Sequence, residues 1–144
     1  MLIKQLSIFV ENKSGRLAEI TAIMAQAGVD IRALSIADTT DFGILRIIVD
    51  KPDIAAEALK KAGLTVSLTN VIAIGIEDRP GGFAKAMKAL NDAHISVEYM
   101  YAFISRDQGR ACVLLRVENN EAAIDVLQET PDVELLSEDK IYTM

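Results

Sequence analysis

One stretch of this 144-residue chain occurs twice. It reads Glu11-Asn12-Lys13-Ser14-Gly15-Arg16-Leu17-Ala18, and 66 positions later Glu77-Asp78-Arg79-Pro80-Gly81-Gly82-Phe83-Ala84. Each copy follows a short apolar run and precedes apolar residues at helical spacing. A polar turn with a fixed glycine, opening a helix, is a place where backbone amides face a small anion. A chain that repeats such a turn must accommodate two equivalent units.

The repeat extends beyond the turn. The same offset matches Ile8 with Ile74, Ala27 with Ala93, Asp41 with Asp107 and Gly43 with Gly109. Beyond Gly43 an offset of 68 pairs Val49 with Val117 and Leu59 with Leu127. The second unit therefore holds two extra residues around its third strand. The identities are few, and the order of elements carries the argument.

In the first unit, Leu6 to Val10 reads as a strand. Leu17, Ile20, Ile23, Met24 and Ala27 follow at helical spacing, with Ser14 as N-cap and Gly28 as the left-handed terminator. Val29 to Asp38 and the β-branched Ile44 to Val49 are strands, separated by the turn residues Thr39 to Gly43. Pro52 opens a second helix with Ile54, Ala55, Ala58, Leu59 and Ala62 as its buried stripe, ended by Gly63. Leu64 to Ile76 holds the last strand of one unit and the first of the next, with a bend expected near Thr69-Asn70. In the second unit Phe83, Ala86, Met87, Leu90 and Ala93 form a helix stripe. Strands follow at Ile95 to Ser105 and Ala111 to Val117, with a turn at Asp107 to Gly109. A helix through Ala123, Ile124 and Leu127, capped by Asn119-Asn120, stops before Pro131. Val133 to Leu136 is a last strand, which Lys140 to Met144 would extend or follow with a short extra strand.

Each unit is thus strand–helix–strand–strand–helix–strand. That is the α+β, ferredoxin-like βαββαβ arrangement, a four-stranded antiparallel sheet with two helices on one face. The predicted units are 1–69 and 70–144. With no Gly/Ser/Pro linker between them, they are expected to pack side by side into a continuous sheet. The second sheet face is left needing a partner or polar cover.

Composition narrows the function. The formal net charge is −6, so no basic footprint for nucleic acid or anionic membrane is present. No apolar run reaches the roughly 20 residues of a bilayer span, and Met1-Leu2-Ile3-Lys4 does not open a signal peptide. One cysteine, Cys112, forms no internal disulfide, and with the single His94 gives too few soft ligands for a zinc or iron–sulfur site. A cytoplasmic protein without metal or cofactor is expected. Asp41-Phe42-Gly43 matches a kinase triplet by letters alone, and Pro80-Gly81-Gly82 lacks the ending of a phosphate-binding loop. No nucleophile–base pair stands at recognisable spacing, so no catalytic residue is assigned.

A βαββαβ unit of this size with polar-x-x-Gly-x-apolar in its first turn resembles the ACT domain. Asn12-Lys13-Ser14-Gly15-Arg16-Leu17 and Asp78-Arg79-Pro80-Gly81-Gly82-Phe83 both look like that family's first loop, the second copy more closely. Gly28-Val29-Asp30-Ile31 resembles the family's passage from helix to second strand, and Ala93-His94-Ile95-Ser96-Val97 is a looser version. The resemblance covers the whole chain and implies a stand-alone tandem ACT protein. It implies small-molecule sensing, usually of an amino acid, where the first loop of one unit meets the second-strand start of a neighbour. By family position Asn12 and Asp78 hold ligand through the loop side chain. Asp30-Ile31 and Ser96-Val97 open the second strand, and Gly15 and Gly81 allow close backbone approach. Asp30 and Ser96 stand where the family often has Asn.

Physically, helix-start N–H groups from Gly15 and Gly81 suit a carboxylate, while Asp30, Asp78 and Asn12 suit an ammonium. The bland reading of the same residues is a tight strand–helix turn needing glycine and capping groups. Tyr99, Tyr101 and Phe103 share one strand face, as an interface or a ligand-site wall. His94 takes the place of Gly28 as a helix C-terminal residue, and Cys112 is a core residue. The chain is read as a non-catalytic amino-acid sensor, a homodimer or higher homo-oligomer serving an amino-acid-metabolism enzyme. The alternative is an interaction module of the same fold without a ligand.

Overall fold

A computed structural model describes residues 2–11, 13–38, 41–103 and 109–143, with the side chain of Asp38 excepted. The elements are β1 (Ile3–Glu11), α1 (Arg16–Gln26), β2 (Ile31–Asp38), β3 (Phe42–Val49), α2 (Pro52–Lys61), β4 (Thr65–Glu77), α3 (Gly82–Asp92), β5 (Val97–Phe103), β6 (Arg110–Val117), α4 (Asn120–Gln128), β7 (Glu134–Leu135) and α5 (Glu138–Thr143). Contacts gather Lys4–Thr69 into one unit and the rest of the chain into another.

In the first unit β1 and β2 both pair antiparallel with β3. Alternation along β1 and β3 sends Leu6, Ile8, Val10, Leu45, Ile47 and Val49 to one face. There they pack on Ile20 and Met24 of α1 and Ala55, Ala56 and Leu59 of α2. Both helices therefore cover the same face. The α2 stripe is rotated from the expected one: Ala56 is buried while Ile54 and Ala62 are exposed, and Leu17 of α1 is exposed too. The opposite face carries Phe9 beside Phe42, ring centroids 4.8 Å apart, with Ile44 across from Phe9. All three are partly exposed.

The second unit repeats the arrangement. β6 lies between β4 and β5, and β7 pairs with the other side of β4. Ile72, Ile74, Ile76, Val113, Leu115 and Val117 meet Ala86 and Leu90 of α3 and Ala123 and Leu127 of α4. Cys112 is buried, as read from the sequence.

Several expectations are corrected. The two strands expected between Leu64 and Ile76 are one, because β4 runs unbroken from Thr65 to Glu77. Its burial changes along its length: Thr65 to Asn70 are exposed or half-buried, while Val71 to Ile76 is buried on both faces. The C-terminal segment accounts for cover on the second face. Leu136 N–H donates to the Ala73 carbonyl, and the Leu136 side chain lies against Gly75. Glu134, opposite Gly75, joins Lys140 at 2.5 Å and Arg110 at 3.2 Å. Residues after Ser137 form the helix α5, not a strand, and Ile141 is fully buried. The last expected strand shrinks to the two residues of β7.

The match of Gly43 with Gly109 is also corrected. Gly43 lies inside β3 opposite Val10, whereas Gly109 precedes β6 with φ 81°. The structural counterpart of Gly43 is Ala111, which faces Ile76. The two extra residues therefore lie in the β5–β6 connection. Asp107 of the expected turn, Ser105 of the expected strand, and Thr39 and Thr40 lie outside the described residues, as does Met144.

Candidate functional site

Each first loop turns a β-strand into a helix through the same backbone device. Gly15 and Gly81 are the N-cap residues of α1 and α3, with φ 87° in both and ψ −6° and −11°. A left-handed residue at this point costs an L side chain about 1–2 kcal/mol, which glycine avoids. The expected Ser14 cap is not formed. Neither helix start has a side-chain cap, whereas α4 is capped by Asn119, whose Oδ1 accepts from Ala122 N–H at 3.1 Å. The opening amides of α1 and α3 are thus left without a side-chain acceptor, and those helix starts carry partial positive charge.

The side chains around the two loops differ. In the first, Lys13 meets Glu11 at 2.9 Å, and Arg16 lies 3.7 Å from Glu11 and 3.0 Å from Glu19. The hydrogen bond and charge of Lys13, helped by Arg16, hold the Glu11 carboxyl below its ordinary range. A small hollow of about 90 Å³ lies here, lined by residues including Glu11, Lys13, Arg16, Leu17 and Ile36. Asn12 lies outside the described residues. In the second, Arg79 pairs with Glu77, while Asp78, Arg79 and Pro80 are exposed and Gly82 is buried. A Cβ at Gly82 would stand 2.1 Å from the Glu77 carbonyl oxygen, so only glycine fits this turn. Phe83 packs partly against the core.

The second-strand starts lie at the opposite end of each sheet from the loops. Glu11 pairs with Phe42 at one end of β3, while Ile31 pairs with Val49 at the other. Likewise Glu77 pairs with Arg110, and Val97 with Val117. No single unit brings its own Lys13–Leu17 or Asp78–Phe83 segment to its own Asp30-Ile31 or Ser96-Val97. Asp30 is engaged locally: its carboxylate pairs with Arg32 at 2.9 Å and its N–H donates to Asp50 at 2.9 Å.

Ser96 is exposed on the rim of a hollow of about 780 Å³ at its end of the second unit. Of the wall residues Glu98, Glu118, Asn119 and Asn120, the sequence marks Asn119 and Asn120 as helix caps and none as a site residue. Their signal was available in the repeat, because Glu98 and Asn119 stand where the first unit has Arg32 and Lys51. His94 has φ 59° and donates its N–H to the Asn91 carbonyl, as Gly28 does to Ala25. It is the helix terminator that the repeat predicts. Among the described residues, no group of three or more His, Cys, Asp or Glu could hold a metal ion, and no helix is long and apolar enough to cross a membrane.

Comparisons with known proteins place this geometry. The family model described as an ACT domain pair matches residues 1–144. The crystal structure of protein BT0572 from Bacteroides thetaiotaomicron is 42% identical, with TM-score 0.93 over 100% of this chain and 98% of that one. The regulatory subunit of aspartate kinase from Thermus thermophilus, in its ligand-free form, is 18% identical, with TM-score 0.64 over 89% of this chain and 93% of that one. The corresponding subunit from Thermus flavus is 17% identical, with TM-score 0.60 over 88% and 90%. At those identities the two subunits share the fold alone. A search of curated protein sequences finds no match. The chain belongs to the ACT domain pair family.

Proposed function

We propose that the chain is a non-catalytic sensor that binds a free amino acid and passes that occupancy to a partner protein. The observation that carries this reading is the pair of uncapped helix starts behind left-handed Gly15 and Gly81. In a family of regulatory domains, such starts offer amide donors for a carboxylate. The ammonium then needs acceptors from a second-strand start, where Asp30 and Ser96 stand. Because loop and strand start occupy opposite ends of one unit, a site using both is completed by another unit, so association and binding are linked. The aspartate kinase subunits are regulatory, which favours an enzyme of amino-acid metabolism as the partner. A ligand-free interaction module is the second reading, favoured by the exposed Phe9, Phe42 and Ile44.

Thermal-shift and calorimetric screening with the twenty amino acids separates the two. A ligand at 100 times its Kd stabilises by about 2.7 kcal/mol. Asp78→Ala is expected to weaken binding with little loss of folding. Millimolar amino acids that leave the melting curve unmoved would exclude the sensor.

A further inference from the structure

The outer strands are not equally protected. An outer strand offers unpaired N–H and C=O groups to any extended chain, and charges, prolines and bulges keep other chains away. β2 carries Arg32 and a register shift between Ile31 and Ala33, and β5 carries Glu98 and a shift between Val97 and Tyr99. In the Lys4–Thr69 unit the strand order is β2-β3-β1-β4, so Thr65–Thr69 is the other outer strand. Thr65-Val66-Ser67-Leu68-Thr69 has no charge and no proline, and each of its residues is exposed or half-buried. The register of β4 with β6 begins only at Ile72. Backbone groups alternate between the two edges along a strand. The Asn70 carbonyl accepts from Arg116 Nη1 of β6, so Val66 and Leu68 direct their groups to that same edge.

Helix α2 flanks this edge. Asp53, Ala56, Glu57, Lys60 and Lys61 stand at i, i+3, i+4, i+7 and i+8, one stripe of the helix, and with Leu68 they line an open hollow of about 520 Å³. The stripe is acidic at its N-terminal end, apolar at Ala56 and basic at its C-terminal end. Turned end for end it matches itself, with Asp53 and Glu57 of one copy against Lys60 and Lys61 of another. The pairs made within the chain, Lys61 with Glu57 at 3.1 Å and Lys4 with Asp53 at 3.5 Å, are exposed, and Lys60 makes no ion pair among the described residues. At an offset of 68 the stripe of α4 reads Glu121, Ile124, Asp125, Gln128 and Glu129. It carries no cation, so two copies of it repel. The strand that packs on α4, β7, ends after two residues. Self-complementarity is confined to the first unit.

We propose that the β4–α2 edge of the first unit binds a second copy of this chain about a two-fold axis. The outer strands pair antiparallel around Val66 and Leu68, adding main-chain hydrogen bonds, and the two α2 helices run antiparallel beside each other above them. Leu68 and Ala56 fill the centre, with the acid–base pairs on either side. Such a contact closes on itself, because both copies offer the same patch. One helix face and five strand residues make a small interface, so the pair is expected to be a weak one. Asp30-Ile31 opens β2, the opposite outer strand, so this surface is separate from the second-strand start that the amino-acid reading uses.

The test is sedimentation velocity of the full chain between about 1 μM and 1 mM, at low salt and without amino acid. A monomer–dimer equilibrium is expected, and it weakens as salt is raised. Leu68→Lys puts a charge on the edge and is expected to weaken the dimer about ten-fold or more. Leu68 is 45% exposed, so lysine there costs the fold little. Lys60→Glu with Lys61→Glu makes the stripe wholly acidic, and Asp53→Lys with Glu57→Lys makes it wholly basic. Each of these two variants alone is expected to be monomeric, and an equal mixture of them to pair. Adding Leu68→Lys to both is expected to abolish the mixed pair, which a bulk attraction of opposite charges would spare. Circular dichroism checks folding, and the charge variants serve if Leu68→Lys does not fold. A wild type that stays monomeric throughout, a dimer that the substitutions leave unchanged, or species that grow beyond the dimer overturn the assignment. The sensor reading stands or falls separately, in the screens with amino acid present.

Discussion

Replacing Gly82 by alanine tests how tightly the second first-loop is built. Gly82 is buried at the start of α3, and its N–H donates to the Arg79 carbonyl at 3.0 Å. An added Cβ would stand 2.1 Å from the Glu77 carbonyl oxygen and 3.1 Å from its carbon, when real Cβ contacts essentially never fall below 3.0 Å. The obstacle is backbone, and it is held: Glu77 pairs with Arg110, and Asp78 N–H donates to Gly109 at 3.0 Å. The turn must therefore open by about 0.9 Å, the gap between 2.1 and 3.0 Å. Overpacking of this kind costs about 1–3 kcal/mol. Loosening the Gly82–Arg79 bond adds about 1 kcal/mol, and alanine's helix preference returns about 0.5–1 kcal/mol. The expected net loss is about 1–3.5 kcal/mol, a large share of the 5–15 kcal/mol typical of a whole domain. All three tyrosines, Tyr99, Tyr101 and Tyr142, lie in the second unit and there is no tryptophan. Tyrosine fluorescence during urea unfolding thus reports the unit that carries the substitution. Arg16→Ala is the control, followed by circular dichroism because its unit holds no tyrosine; position 16 already carries a Cβ in a looser turn, with Arg16 N to Lys13 O at 3.4 Å. It should lose only exposed ion pairs, about 0.5 kcal/mol. A Gly82→Ala midpoint shifted no more than that control would refute the steric argument.

Two further substitutions probe left-handed residues. His94→Gly removes a φ of 59° from an L residue; the relief of about 1–2 kcal/mol exceeds glycine's entropy cost of roughly 0.5–1 kcal/mol, so a gain of about 0.5 kcal/mol is expected in urea unfolding. Asp132, at φ 66°, is bonded by Lys85 at 2.9 Å, and that hydrogen bond and charge hold its carboxyl below the ordinary 3.8. Its folded pKa is depressed, so its stabilising contribution is present above 3.8 and fades as pH falls through the folded value. Asp132→Asn keeps a residue tolerant of left-handed backbone and should flatten that part of the acid limb, which a series of melting curves below neutral pH will show.

The fold was legible in sequence because the signals are local and doubled. Leu6, Ile8 and Val10 alternate, Ile20 and Met24 stand one helical turn apart, and the counterparts Ile72, Ile74, Ile76, Ala86 and Leu90 recur in the same order. The failures arose where a distant segment decides. β4 looked like two strands because Leu64 to Ile76 is longer than a typical strand, and the unbroken burial of Val71 to Ile76 comes with cover from Leu136 some sixty residues onward. α5 was missed because six residues carry little periodicity, although Ser137 before Glu138-Asp139 is a helix-start signal. Ser14 failed as a cap because Gly15 itself takes the N-cap position in a left-handed conformation.

Duplication preserved the backbone and released the side chains. Gly15 and Gly81 agree within a few degrees, and His94 adopts the left-handed turn of Gly28 despite its side chain. Core positions stay apolar, although Ile20 gives way to the smaller Ala86. At the two ends of each sheet the chemistry diverges: Arg16 corresponds to Gly82 in the repeat, Arg32 to Glu98, and Lys51 to Asn119. Each exchange withdraws an internal cation from the second unit. A fold that keeps its turns while exchanging charges at those ends has decoupled stability from recognition there, since exposed pairs such as Arg16–Glu19 contribute at most about 1 kcal/mol to folding. The same charges face whatever approaches the loop or strand start, where they act with little competition from the core.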